Sequence, residues 1–199
     1  MLYLSEMKRL LTILILIFTL QTPSWADDIR DFQIEGMSIG ESLLNIFTKK
    51  EIDSIEPTYY PNSRKFHGLA IISDKFKGYD QVTFGLKRDD KKYIIHSLAG
   101  DLYYENDFKN CMKKKEEILK EVSSLFIKQK RSDYKYVYKD IDDGKSFAEI
   151  TDFIFKDSSS FRIFCVDWTL ETEKKRDFAD MLSVTVNTSE WLRWLDKAY

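Results

Sequence analysis

The chain has 199 residues, with 31 Lys and Arg against 33 Asp and Glu and a formal net charge of −2. That balance is too near neutral for a general binder of nucleic acid or of anionic membrane. With 43% hydrophobic and 15% aromatic residues and only 7 Gly and 3 Pro, it excludes both a disordered tail and a loop-rich scaffold.

The first segment reads as an export signal. Lys8 and Arg9 form a basic start, Leu10 to Leu20 is apolar, and "TPSWA" supplies Pro23 with Ser24 and Ala26 as small residues before a cleavage point. Met7 also opens a complete signal, "MKRLLTILILIFTL". The apolar run is shorter than the roughly 20 residues that a membrane-crossing helix needs. The expectation is a signal peptide over 1–26 and one mature domain over 27–199, periplasmic or secreted, with no membrane span after cleavage. The residue directly after the cleavage point is Asp27 and not cysteine, so a bacterial lipoprotein anchor is not expected.

In "GMSIGESLLNIF", Ser38 and Glu41 have capping-box spacing, which predicts a helix with Ile39, Leu43, Leu44, Ile46 and Phe47 on its apolar side. Thr48 and Glu51 repeat the signal for a second short helix, which Pro57 ends. "PTYYPNSRKFHG" reads as a loop by its prolines and its Asn-Ser pair. Tyr59, Tyr60, Arg64 and His67, with Lys65, join aromatic rings to basic tips, a set suited to a carboxylate, a sugar or a peptide. The competing reading is an aromatic lid over a small core.

"FHGLAIIS", "DQVTFGL" and "YIIHSLAG" have strand character, with "KRDDKK" as a polar turn and "DLYYEN" as a short strand feeding a helix from about Asp107 to Lys128. Lys113, Lys114 and Lys115 are followed at once by Glu116 and Glu117, a mixed and therefore solvated face. "KQKRSD" is a polar exit.

"YKYVYKDI" and "SFAEITDFIF" flank "DIDDGKS", which ends like a phosphate-binding loop and begins like a calcium-binding one. A phosphate loop needs glycine five positions before Gly144, where Lys139 stands, and a helix where strand-like residues follow. A calcium loop needs glycine sixth and glutamate twelfth; from Asp140, glycine is fifth and Thr151 twelfth. Asp-Gly between alternating strands predicts a tight turn with Asp143 and Gly144 at its centre.

"FRIFCVDWTL" is an apolar strand, "ETEKKRDFAD" a charged connection, "MLSVTVN" a strand and "TSEWLRWLDKAY" a helix capped by Asn187 with Glu190. Its stripe of Trp191, Trp194, Leu195 and Ala198 must bury, either on its own sheet or on a docking partner, for which Trp191 and Trp194 are the candidates. Cys111 lies on the apolar side of the long helix and Cys165 in a buried strand. In an oxidising compartment they are expected to pair, which would stabilise the fold by about 3 to 5 kcal/mol; the competing reading is two separate buried thiols. Together the elements predict an α+β fold: an antiparallel sheet with helices on one face and two loosely repeated halves, each a hairpin, a further strand and a helix.

His67 and His96 are the only histidines and have no metal-ligand spacing, and no serine sits in a Gly-x-Ser-x-Gly elbow. No catalytic residue, metal or cofactor is therefore assigned. The leading reading is a non-catalytic exported module that binds a small ligand or an envelope protein, with no nucleic-acid partner. The alternatives are an exported hydrolase or ligand-modifying enzyme with a loop-assembled site and a structural envelope protein.

"DIRDFQIEGMSIGESLL", the "DDGKS" turn and "CVDW" resemble features of small exported proteins from marine alphaproteobacteria, a resemblance spanning most of the mature chain. That group has no assigned activity, so the resemblance implies a compartment and no chemistry. "GMSIGESLLNIF" is also similar to the opening of the outer-membrane assembly factor BamE. The lipidated cysteine of that family is missing, and none of its roles is carried over.

Overall fold

A computed structural model describes residues 28–142 and 144–198. The expected signal peptide, and Asp143 of the acidic turn, lie outside the described residues. Among the described residues, eight strands form one sheet: β1 (Thr58–Tyr60), β2 (Ser63–Ile71), β3 (Gln81–Lys87), β4 (Ile95–Tyr103), β5 (Lys130–Val137), β6 (Phe147–Ile154), β7 (Ser160–Asp167) and β8 (Met181–Asn187). Their order is β1-β2-β3-β4-β8-β7-β6-β5 and every pairing is antiparallel. The helices are α1 (Lys49–Asp53), α2 (Phe108–Ser123), α3 (Lys139–Asp142), α4 (Leu170–Arg176) and α5 (Ser189–Leu195). Among the described residues no helix is long and apolar enough to cross a membrane.

The antiparallel α+β architecture is as the sequence predicts. Each half is a four-strand meander followed by a helix, and the halves meet at β4 and β8. The repetition stops at the strands. Helix α2 packs on β7 and β8 and buries Ile118, Leu119 and Val122 with Val184 and Val186. Helix α5 lies on the opposite face, where Trp191 packs on Gly85. A rotation about the sheet normal that exchanged the halves would keep both helices on one face. The expected single helical face is therefore divided in two, because the last helix takes its tryptophans to the side that α2 leaves uncovered.

The disulfide joins Cys111 of α2 to Cys165 of β7, with Cα atoms 6.0 Å apart. It ties the helix to the central strands of the second half. Over the first half, the same face is covered by the N-terminal segment, which contributes Ile29, Ile34, Met37, Leu43 and Phe47 to the core.

Local signals were overridden where tertiary hydrogen bonds compete. The Ser38 N–H does donate to the Glu41 carboxylate at 3.0 Å, yet no helix starts there. Gly40 sits at φ +87° and donates to Ile95 O, Ile95 donates back to Glu41 O, and Leu43 donates to Tyr93 O. The segment pairs with the start of β4 and leaves only a 3-10 turn at Leu43–Asn45, capped by Ser42. The Thr48–Glu51 capping box does open α1.

Four other segments differ from expectation. The "PTYYPNSRKFHG" loop is largely β1 and the start of β2. "DLYYEN" is no separate strand, because β4 runs through Gly100; a β-carbon there would stand 2.7 Å from the Tyr79 ring, so glycine serves packing and not a break. "KQKRSD" runs into β5, whose charges mark an exposed edge strand. "ETEKKRDFAD" holds α4, capped by Thr169 at one end and by left-handed Asp177 at the other. Lys115 also departs from the solvated face assigned to its neighbours: it is buried and donates to Glu149 O at 2.9 Å.

"DIDDGKS" does connect two antiparallel strands, β5 and β6. It is wider than a two-residue turn: α3 adds a helical turn, Gly144 takes φ +78°, and Tyr138 N closes the loop on Ser146 O at 3.0 Å.

Candidate functional site

The face that carries α5 is organised by the cross-strand register. One row runs Gly68, Gly85, Ser97, Asn187, Ser160. The next runs Ala70, Thr83, Ala99, Thr185, Arg162, Asp152. A third runs Gln81, Asp101, Ser183, Phe164, Ile150, Tyr134. Helix α5 stands over the first row. Tyr138, Trp168 and Phe164 pack with Ile150 and Val166 toward the far corner. The middle row, small from Ala70 to Thr185 and closed by Arg162 and Asp152, is left as the floor of a furrow.

This furrow holds a cavity of about 190 Å³ against α5, lined by Tyr60, Thr83, Ser97, Arg162, Phe164, Thr185, Asn187, Trp191, Leu192 and Leu195. Its fixed polar group is Arg162. The guanidinium Nε donates to Asp152 Oδ1 at 2.7 Å, and Nη2 donates to Asp152 Oδ2 at 3.0 Å and to the Tyr134 hydroxyl at 3.1 Å. The Tyr134 hydroxyl donates in turn to Asp152 Oδ2 at 3.0 Å. Burial works against the Arg162 charge, but the Asp152 hydrogen bonds more than offset it and raise its pKa. Among the described residues Nη1 has no hydrogen-bond partner.

Asn187 is the second polar group. Ser97 Oγ donates to its Oδ1 at 2.6 Å, and its Nδ2 has no partner among the described residues. Asn187 and Thr185 lie two apart on β8, and Thr185 stands directly opposite Arg162. Two side chains that line one cavity therefore keep unused N–H donors. In the third row, burial raises the Asp101 pKa although Gln81 and Thr83 donate to its carboxylate.

The residues picked from the sequence as ligand contacts do not converge. Tyr60 lines the furrow and packs edge-on against Trp194 at 4.8 Å. Tyr59 is exposed, with its ring 6.1 Å from that of His67 and the Arg88 guanidinium 5.7 Å from its centre. His67 pairs with Leu86 on the α2 side of the sheet, and burial lowers its pKa. Arg64 is exposed. Strand alternation sends neighbouring residues to opposite faces, so Tyr59 with His67 and Tyr60 with Trp194 stand on different sides of the sheet.

Trp191 and Trp194 are buried on their own sheet with Phe66 and Tyr60. The helix cap is Thr188, not Asn187. Glu190 instead bonds Lys87 at 2.9 Å and Lys65 at 3.0 Å, and these bonds, that to Lys87 above all, hold its pKa at about 2. His96 lies 3.6 Å from Glu190. Among the described residues neither histidine hydrogen-bonds a serine hydroxyl, and no group of acids, histidines and cysteines is arranged to hold a metal ion.

Sequence reasoning missed Arg162, Asp152, Asn187 and Thr185. A signal was present: "TDFIF" and "FRIFC" each carry one charge inside an apolar strand, of opposite sign, across a short turn. A charge at a buried position needs a partner, and here the register supplies it. A second hollow of about 230 Å³, with Lys139, Lys145, Lys175 and Arg176 beside Asp140 and Glu171, is open and of mixed charge. No protein-family model, curated protein or solved structure matches this chain.

Proposed function

We propose that this protein is an exported, non-catalytic binding module that holds a small ligand in the furrow beneath α5. The observation that carries the reading is the pair of unused donors, Arg162 Nη1 and Asn187 Nδ2, on side chains otherwise fixed by neighbours. Pre-fixed donors keep the entropic cost of binding low. Because Asp152 already balances the Arg162 charge, the furrow selects for acceptor oxygens more than for net negative charge. Phe164, Trp191, Leu192 and Leu195 offer an apolar flank. The ligand is thus a small molecule with a carboxylate or carbonyl group on an apolar body. Export rests on the sequence signal and is supported by the disulfide.

The test is amide chemical-shift mapping of the mature protein against small carboxylates, sugars and short peptides, together with cell fractionation. Shifts at Arg162, Thr185, Asn187 and Trp191 that vanish in Thr185→Phe, which fills the furrow, are expected. Binding that maps elsewhere and survives Thr185→Phe would overturn the assignment, as would a chain retained in the cytosol.

A further inference from the structure

Strand β5 ends the sheet on one side, with β6 as its only neighbour among the described residues and every residue from Lys130 to Tyr136 exposed. It is full length, pairs with β6 without a register shift, and has no proline. The opposite edge strand, β1, has only three residues and an irregular register. The bond from Tyr138 N to Ser146 O sets the alternation along β5. The even-numbered residues exchange hydrogen bonds with β6, so the N–H and C=O groups of Arg131, Asp133, Lys135 and Val137 point out from the sheet.

Such an edge accepts another strand unless its side chains forbid it. The side chains here discriminate between registers. If two β5 strands run antiparallel about Tyr134, Asp133 of each copy stands opposite Lys135 of the other, and Arg131 stands opposite Val137. The outward backbone groups then pair with each other, as an antiparallel ladder requires. A shift to centre on Asp133 would set Asp133 against Asp133 and Arg131 against Lys135. A shift to centre on Lys135 would set Lys135 against Lys135. Centring on Ser132 would keep an Arg131–Asp133 match but would pair only the first part of the strand.

Within one copy, Asp133 already accepts from Arg131 at 2.8 and 3.0 Å and from Thr151 at 2.8 Å, so it is held in place. Lys135 lies 4.0 Å from Glu149 and over the Phe147 ring. On the other face, the exposed rings of Tyr134 and Tyr136 flank the seam. Tyr134 would meet Tyr134, and Tyr136 would meet Ser132.

We propose that β5 is a self-docking edge through which two copies of this chain join antiparallel about Tyr134, continuing one sheet across both. The seam touches the furrow at one point, the Tyr134 hydroxyl that bonds Arg162 and Asp152; the charge pairs that set the register, Asp133 with Lys135, lie on the other face of the strand. A seam of this size, built from main-chain bonds and two charge pairs per dimer, belongs to the weak and reversible class.

Sedimentation equilibrium of the mature protein with its disulfide intact tests it, together with variants that each carry one added cysteine. Tyr134→Cys is expected to crosslink two copies on mild oxidation, because residues on the axis face each other, whereas Asp133→Cys and Lys135→Cys are not. Asp133→Lys and Lys135→Asp should each weaken association about tenfold, and the double exchange should restore it, since it re-forms both pairs with the signs reversed. A protein that stays monomeric at the highest soluble concentration overturns the proposal. So does crosslinking through residue 133 or 135, which would mean another register, or a double exchange that fails to recover association.

Discussion

Gly85 and Trp191 are in contact so close that a β-carbon at position 85 would force a neighbour to move. A β-carbon on Gly85 would stand 2.5 Å from Trp191 Cζ3 and 2.7 Å from Ser97 Cβ. This contact seats α5 on the sheet and so sets one wall of the furrow. Gly85→Ala is expected to destabilise the protein by about 1 to 3 kcal/mol through overpacking. Urea unfolding followed by tryptophan fluorescence measures it; an unchanged midpoint would mean that α5 does not depend on the bare backbone at this point.

The Arg162–Asp152 pair is expected to be structural as well as functional. Asp152 is 6% exposed, so Arg162→Met leaves a buried carboxylate with only Tyr134 as a side-chain donor. A loss of about 2 to 4 kcal/mol is expected, at the lower end of buried-pair disruptions because the arginine is partly exposed. Adding Asp152→Leu should recover much of it. Denaturant melts of the single and double variants separate the two effects.

Loss of the Cys111–Cys165 bond, by reduction or by replacing both residues with Ala, should cost about 4 kcal/mol, as the entropy of closing its long loop predicts. The sequence separation is 54. Thermal melts with and without reductant provide the measurement.

Asp180 gives the fold a specific pH response. Burial raises its pKa to about 6, against a backbone hydrogen bond from Trp168 that lowers it. An acid whose native pKa is raised binds its proton more tightly folded than unfolded, so its contribution to stability falls as pH rises from about 4 to about 6 and is level above that. Asp180→Asn retains an acceptor for Trp168 and should remove this slope. Glu190 acts in the opposite sense: with its pKa held at about 2, its contribution is complete above the ordinary carboxylate range and is lost on acidification toward pH 2. Stability measured across this pH range, with Asp180→Asn beside the parent protein, distinguishes the two.

Ser160 Oγ is buried and has no hydrogen-bond partner among the described residues. Ser160→Ala should raise stability by about 1 kcal/mol, since an unsatisfied buried hydroxyl carries a desolvation cost. A destabilised variant in calorimetry would show that the hydroxyl is satisfied in solution.

Much of the architecture was legible in the sequence because apolar alternation and helical spacing are local. "MLSVTVN" is β8 residue for residue, and Thr48 with Glu51 does cap a helix. The failures fall where solvent exposure or distant pairing decides. Charged "KQKRSD" hid the start of an edge strand, whose two exposed faces remove the alternation signal. The Ser38 signal lost to hydrogen bonds with Tyr93 and Ile95, which no local window contains. The aromatic segment around Tyr59 and Tyr60 looked like a site because its residues are adjacent, whereas the furrow collects Tyr60, Ser97, Arg162 and Asn187 from four strands.

By itself the sequence determined the class of fold and the absence of the common catalytic and metal motifs, since each comes from residue type and short-range spacing; it offered Cys111 and Cys165 as a candidate pair, and the fold brings their Cα atoms to 6.0 Å and joins them. Only the tertiary structure decided which face α5 covers, that Arg162 meets Asp152 and where unused donors collect. Those depend on strand order and register. A shift of a single residue in the β6–β7 or β7–β8 ladder would turn Arg162 to the other face of the sheet, away from Asp152 or Thr185.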